Sequence, residues 1–199
     1  MSKSIDYYFT PVSPWTYLGH ARFVDIARGH GASIAVKPVD FGKIFPVSGG
    51  LPLKQRSPQR QAYRLTELGR WKDYLGVPLN TQPRFFPVPA ELAARWILAA
   101  GEDNTDAALR LAGAFMRAVW AEELDISDPA TLKALATGAG QDANALAQRA
   151  AADATRERYE ALTQEAIERQ VFGAPTFIYG GELFWGQDRL DFLDRSLAK

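Results

Sequence analysis

There is no cysteine anywhere in this chain. That excludes disulfides, thiolate metal sites and redox chemistry by the protein's own sulfur. Histidine is nearly as scarce. His20 and His30 are the only two, and neither has an acidic or histidine partner at ligand spacing, which speaks against a metal site. An excess of one charge is missing too: 23 basic residues balance 23 acidic ones, so no net field favours nucleic acid or an anionic membrane surface. No apolar run approaches the length of a membrane span. The N-terminus, MSKSIDYYF, has neither an apolar stretch of secretory length nor a small-residue cleavage site. The expectation is a cytoplasmic protein with neither a nucleic-acid nor a membrane partner. What is present is ordinary globular material, 47% hydrophobic and 23% charged over 199 residues. A chain of that size buries well over half of its unfolded surface without a covalent staple, as one domain or as one domain with a large insertion.

Periodicity then orders the chain. Residues 5–9 read as a short buried strand. From Pro14 to about Arg28 the apolar residues Tyr17, Leu18, Ala21, Val24 and Ala27 recur at helical spacing, and Gly29 and Gly31 end the run. SIAVKPV (33–39) reads as a second strand, so the opening is βαβ with a parallel pair. The Gly/Pro-rich stretch 41–53 reads as irregular, and helices dominate from there to about residue 170. Ser57-Pro58 is an N-cap pair, Asp128-Pro129 another, and the loop 77–89 holds four prolines. The final helix of this set, 155–170, turns Tyr159, Leu162 and Ala166 inward. On it, Arg156–Glu160 and Glu165–Arg169 stand at ion-pair spacing. Then TFIY, Gly-Gly and LFW form a hairpin, and a closing helix follows with Leu190, Leu193 and Leu197 inside. The fold class is therefore α/β: a thioredoxin-like βαβ…ββα plan with a large all-helical insertion. The expected division is 1–42 with 168–199 for the thioredoxin-like part and 43–167 for the helical insertion.

Three short stretches can carry chemistry. Ser13-Pro14 opens the first helix where a thioredoxin would place its Cys-x-x-Cys. Ser-Pro is a preferred N-cap and first-turn pair, and the same turn offers a hydroxyl, free backbone N–H groups and the positive end of a helix dipole. A serine without a base is a poor nucleophile, so its chemical task would be to donate a hydrogen bond to a thiolate carried by another molecule. Gly173-Ala174-Pro175-Thr176 precedes the hairpin; a cis bond at Pro175 would expose the Ala174 backbone for strand-like pairing with a peptide. Gly186-Gln187-Asp188-Arg189 starts the last helix, where Asp188 either complements the dipole or pairs with a ligand ammonium.

The blocks YYFTPVSPWTYLG, RWKDYLGVPL, ERYEALTQEAIERQVFGAPTF and FWGQDRLDFL resemble the 2-hydroxychromene-2-carboxylate isomerases, relatives of the kappa-class glutathione transferases within the Dsb-like thioredoxin folds. The resemblance covers nearly the whole chain and implies glutathione as cofactor, a small aromatic carboxylate as substrate and a homodimer as assembly. It places Ser13 at the glutathione sulfur as the catalytic residue, and Ala174 beside a cis Pro175 at the tripeptide backbone. Trp185, Gly186, Gln187 and Asp188 surround the γ-glutamyl end. For the substrate carboxylate, Lys43, Lys54, Arg56, Arg60 and Arg84 are candidate cations, and Phe45, Phe85 and Phe86 are candidate stacking partners for its ring. The implied reaction is isomerisation to trans-o-hydroxybenzylidenepyruvate through reversible thiolate addition. One departure stands out: relatives carry an asparagine after a glycine where this chain has Ser48-Gly49-Gly50. Two other readings fit the same residues, a kappa-class-like transferase or peroxidase and a non-catalytic thioredoxin-fold peptide-binding module.

Overall fold

The computed structural model describes residues 3–102 and 104–199. Its sheet has four strands among the described residues, β1 (Ser4–Phe9), β2 (Ser33–Pro38), β3 (Thr176–Tyr179) and β4 (Glu182–Trp185), in the order β2-β1-β3-β4. β1 runs parallel to β2, with Tyr7 opposite Val36, and antiparallel to β3, with Tyr7 opposite Phe177. β3 and β4 form the expected hairpin, whose Gly180-Gly181 turn has φ of 58° and 83°. Both values lie in the left-handed region that a two-residue hairpin turn requires and that glycine adopts without steric cost.

β1 is central and covered on both faces, so its side chains alternate between two cores. Ile5, Tyr7 and Phe9 join the larger one, and Tyr8 joins a smaller one with Val39, Ile44, Ala166 and Val171. On the larger face Tyr7 stacks on Phe9 and Phe177, at ring separations of 4.4 and 5.3 Å, with Phe23 of α1 (Pro14–Gly29) against Tyr7 and Phe177. Each such ring contributes about 1.5–3 kcal/mol by leaving water. The same core continues without interruption into α4 (Glu91–Ala100) and α5 (Thr105–Trp120), through Ala93, Ile97, Leu111, Phe115 and Met116. α5 packs on α1, and α1 is thereby held between the sheet and the helical segment. His20 fixes that three-way junction. Its Nε2 lies 3.0 Å from the Leu109 carbonyl of α5, and its Nδ1 lies 3.0 Å from the Tyr7 hydroxyl of β1.

Several local expectations give way to the tertiary structure. Residues 41–53 are not wholly irregular: α2 spans Phe41–Ser48, capped by Asp40, whose carboxylate accepts from the Gly42 N–H at 2.7 Å. Burial of Phe41 and Ile44 stabilises it in spite of Pro46, and Gly49 ends it with φ 75°. α3 (Pro58–Leu75) begins at Pro58 as expected, but the Ser57 side chain makes no capping hydrogen bond. α6 (Pro129–Gly138) starts after its Asp128 cap. α7 (Ala143–Ala151) and α8 (Asp153–Glu168) are separate helices, because Ala152 turns extended between them. Neither expected i,i+4 ion pair on α8 forms. Arg156 bonds Asp153 at 2.8 Å, while Glu165 pairs with Lys37 of β2 at 2.6 Å and Arg169 with Asp6 of β1 at 3.6 Å. α9 (Leu190–Leu197) closes the fold with Leu190, Leu193 and Leu197 buried, as its spacing predicts. No helix among the described residues is long and apolar enough to cross a membrane.

Candidate active site

Ser13 begins α1. Its backbone N–H donates to the Thr10 carbonyl at 3.0 Å, and its Oγ accepts from the Thr16 N–H at 3.2 Å. The hydroxyl is therefore a genuine N-cap, and its own proton remains available to donate. The cap role and the donor role coexist in one side chain.

The Ala174–Pro175 bond is cis, as the resemblance implies. Two hydrogen bonds hold that loop: Thr176 Oγ1 donates to the Gly173 carbonyl at 2.7 Å, and the Gly186 N–H donates to the Pro175 carbonyl at 2.9 Å. Gly173 is required by contact. The Trp185 indole lies so close that a Cβ at 173 would sit 2.2 Å from its Nε1. Gly186 is required by conformation, with φ 99°, and a Cβ there would also meet Asp188 Oδ1 at 2.4 Å.

The 3-10 turn Gln187–Arg189 then packs on α1, where Gly19 leaves room for Gln187. Arg22 Nη2 donates to the Gln187 carbonyl at 2.6 Å and pins the turn. The Gln187 side chain is buried, and its Oε1 has no hydrogen-bond partner within the protein. Leaving a buried acceptor unmatched costs about 1–3 kcal/mol. Asp188 pairs with its neighbour Arg189 at 2.7 Å.

These elements converge on one cavity of about 1220 Å³. Of the residues singled out in the sequence, Ser13, Phe45, Arg56, Arg60, Phe86, Ala174, Trp185, Gly186, Gln187 and Asp188 line it. So do Ser48, Gly49 and Gly50, the loop that departs from the relatives' pattern. Pro175 is buried and does not line it. Lys43 and Lys54 do not line it: Lys43 is exposed on α2, and Lys54 sits on an adjoining smaller cleft with Gln61 and Leu65, a cleft that Arg64 and Phe86 also border. Arg84 stacks on Phe85 at 5.1 Å, also away from the cavity. Sequence reading passed over Tyr63, Arg64 and Trp71, which α3 presents to the cavity, and Tyr159 of α8, whose hydroxyl burial pushes well above the usual tyrosine range. Part of the signal for Arg64 was in the sequence: Arg60 and Arg64 stand four residues apart on one face of the helix that begins at Pro58, whereas Arg56 precedes that helix in extended backbone.

The arginine face is electrostatically unusual. Burial holds Arg64 down at about 10, with the Arg56 charge adding to the effect, and burial and Arg60 lower Arg56 in turn. The cavity thus has one end made of a helix N-terminus, a hydroxyl and backbone groups, and another wall that is cationic and aromatic. Among the described residues no cluster of histidine or acidic side chains has the geometry of a metal site. The arrangement suits an anionic sulfur at Ser13 and a separate organic acid at the arginines.

Comparison with known proteins agrees with this architecture. Residues 4–198 match the family model of the DSBA-like thioredoxin domain. The chain is 31% identical to a 2-hydroxychromene-2-carboxylate isomerase of Sphingobium xenophagum, over 99% of both chains. It is 20% identical to glutathione S-transferase kappa 1 of Homo sapiens, over 100% of this chain and 92% of that protein. A solved 2-hydroxychromene-2-carboxylate isomerase superposes with a TM-score of 0.85 at 28% identity, over 98% of this chain and 94% of that one. The chain therefore belongs to the DsbA-like thioredoxin-domain proteins and, among them, to the 2-hydroxychromene-2-carboxylate isomerase family.

Proposed function

We propose that this protein is a glutathione-dependent isomerase that interconverts 2-hydroxychromene-2-carboxylate and trans-o-hydroxybenzylidenepyruvate, or a closely related aromatic-degradation intermediate. The observation that carries the proposal is the convergence of Ser13, the Gly173-Ala174 loop and the Gly186–Asp188 turn on one cavity. At about 1220 Å³ that cavity exceeds the roughly 300–1,000 Å³ of a site for one drug-sized ligand, so a tripeptide and a second ligand fit together.

The residues fit glutathione. The orphaned Oε1 of Gln187 needs a donor, which an ammonium supplies, and the neighbouring Asp188 carboxylate adds the opposite charge. Ala174 offers backbone groups to a peptide chain, with Trp185 packed over Gly173 beside it. When bound, glutathione supplies a thiolate that adds reversibly to the conjugated side chain and leaves again, which permits rotation about the former double bond with no net redox change. Ser13 donates its hydroxyl proton as a hydrogen bond to the sulfur, and the N-terminus of α1 favours negative charge there. A thiol with a pKa near 8.5 is only a few per cent ionised at pH 7. Lowering it by one or two units corresponds to about 1.4–2.8 kcal/mol and raises the ionised fraction at most about thirtyfold. The remaining acceleration comes from holding the two reactants in one cavity, the larger lever.

The test is a calorimetric titration with glutathione, followed by the isomerisation assay with and without it. Binding together with turnover that requires glutathione is the expected result; turnover that ignores glutathione refutes the cofactor. The similarity to glutathione S-transferase kappa 1 favours a second activity by the same thiolate, conjugation of electrophilic substrates, which an assay with such a substrate separates from isomerisation.

A further inference from the structure

Arg28, Arg70, Arg117, Arg156 and Arg189 each have a carboxylate within ion-pair distance. Arg64 has neither an ion pair nor a hydrogen bond among the described residues, although its Nη2 is buried. A buried guanidinium nitrogen without an acceptor is expensive and calls for an explanation.

The acidic groups that share the cavity wall do not supply one. Asp40 caps α2, Glu67 is held by Arg70, Glu91 lies 3.7 Å from Arg95, and Asp188 is held by Arg189. Two charges of the same sign, Arg56 and Arg60, line the same cavity, and that of Arg56 acts on Arg64. Nor is Arg64 free to swing out. Its guanidinium carbon sits 5.2 Å from the Phe86 ring centre and 5.7 Å from that of Trp120, so two aromatic faces fix it. A fixed, partly dehydrated fork of N–H donors, supported by a second arginine and opening on a cavity, is the arrangement that recognises a carboxylate in bidentate fashion. Its surroundings say which carboxylate. Trp71, Phe86 and Val88 line the cavity with it, whereas the polar backbone groups suited to a tripeptide belong to other elements.

We propose that Arg64 is the specificity-determining residue that anchors the carboxylate of the second, aromatic substrate. The inference rests on the functional reading above, which supplies the two-ligand cavity. It also removes the need for a lysine at the pocket mouth.

The experiment compares trans-cinnamate with its neutral isostere cinnamamide, titrated by ligand-observed NMR into the full chain, alongside calorimetry with glutathione. Wild type should prefer the carboxylate by about tenfold to a hundredfold, the range of a charge-assisted pair. Arg64→Gln should abolish that preference and leave glutathione affinity within about twofold. It should also melt close to wild type, because relief of the buried, unpartnered guanidinium nitrogen offsets the lost contacts with Phe86 and Trp120. Arg64→Lys, which keeps the charge without the fork, should retain part of the preference, and serves as the test if the glutamine variant does not fold. In the isomerase assay, Arg64→Gln should raise KM for the acid more than it lowers kcat. The proposal is overturned if wild type shows no preference for the carboxylate, if Arg64→Gln keeps it, or if the variant loses glutathione binding instead, which would assign the arginine to the tripeptide. A wild type that prefers cinnamate yet binds no glutathione refutes the cofactor and leaves the Arg64 subsite standing.

Discussion

Lowering the pH from 7.5 to 5.0 should destabilise this protein through one side chain, His20. The imidazole is 8% exposed, and its two nitrogens are both engaged. The Leu109 carbonyl can only accept, so Nε2 carries the proton and Nδ1 accepts from the Tyr7 hydroxyl, which burial keeps protonated. Burial pushes the histidine pKa from 6.5 down to about 4, against a smaller opposing pull from the Leu109 carbonyl. A base with a depressed folded pKa binds fewer protons folded than unfolded. Stability is therefore complete above pH 6.5 and is lost progressively as pH falls toward 4. At about 1.36 kcal/mol per unit, the full window is worth about 3.4 kcal/mol, and the 1.5 units between 6.5 and 5.0 about 2 kcal/mol. Urea denaturation at pH 7.5 and 5.0, on wild type and on His20→Gln, isolates this contribution, because groups common to both cancel. The wild type should lose about 2 kcal/mol more than the variant over that interval. Equal losses would refute the assignment of a neutral, buried His20. The consequence reaches the site, since His20 holds the helix whose first turn carries Ser13.

Ser13→Ala should cost about 1 kcal/mol of stability through loss of the bond to the Thr16 N–H. It should also shift the bound thiol's ionisation midpoint back toward that of free glutathione, read by thiolate absorbance across pH; coincident midpoints would leave Ser13 as a cap alone. Gly173→Ala places a Cβ against the Trp185 indole, which is half exposed and can rotate outward. The expected outcome is altered tryptophan fluorescence and weakened glutathione binding, with a stability loss of only about 1 kcal/mol; normal binding would show that the indole is not part of the tripeptide's wall.

The sequence by itself determined the elements whose cause is local. Ser13-Pro14 sets the start of α1, Asp128-Pro129 that of α6, and Gly180-Gly181 the hairpin, because capping and left-handed turns act within a few residues. The motifs at Ser13, Ala174-Pro175 and Gly186–Asp188 were legible for the same reason, each being a turn with its own chemistry. Whatever depends on which surfaces meet was not legible. α2 forms in a Gly/Pro-rich stretch because Phe41 and Ile44 find a core to enter. Glu165 and Arg169 stand four residues apart on one helix, yet each bonds a different strand, since a partner across the fold is more buried than one along the helix. Lys43 and Lys54 stood among the candidate cations for an anionic substrate and Arg64 did not, and only the docking of α3 against Phe86 and Trp120 brought Arg64 to the cavity wall. Residue type is written in the chain, but the dielectric around a charge and the partners left for it are set by packing, and packing is a property of the whole fold.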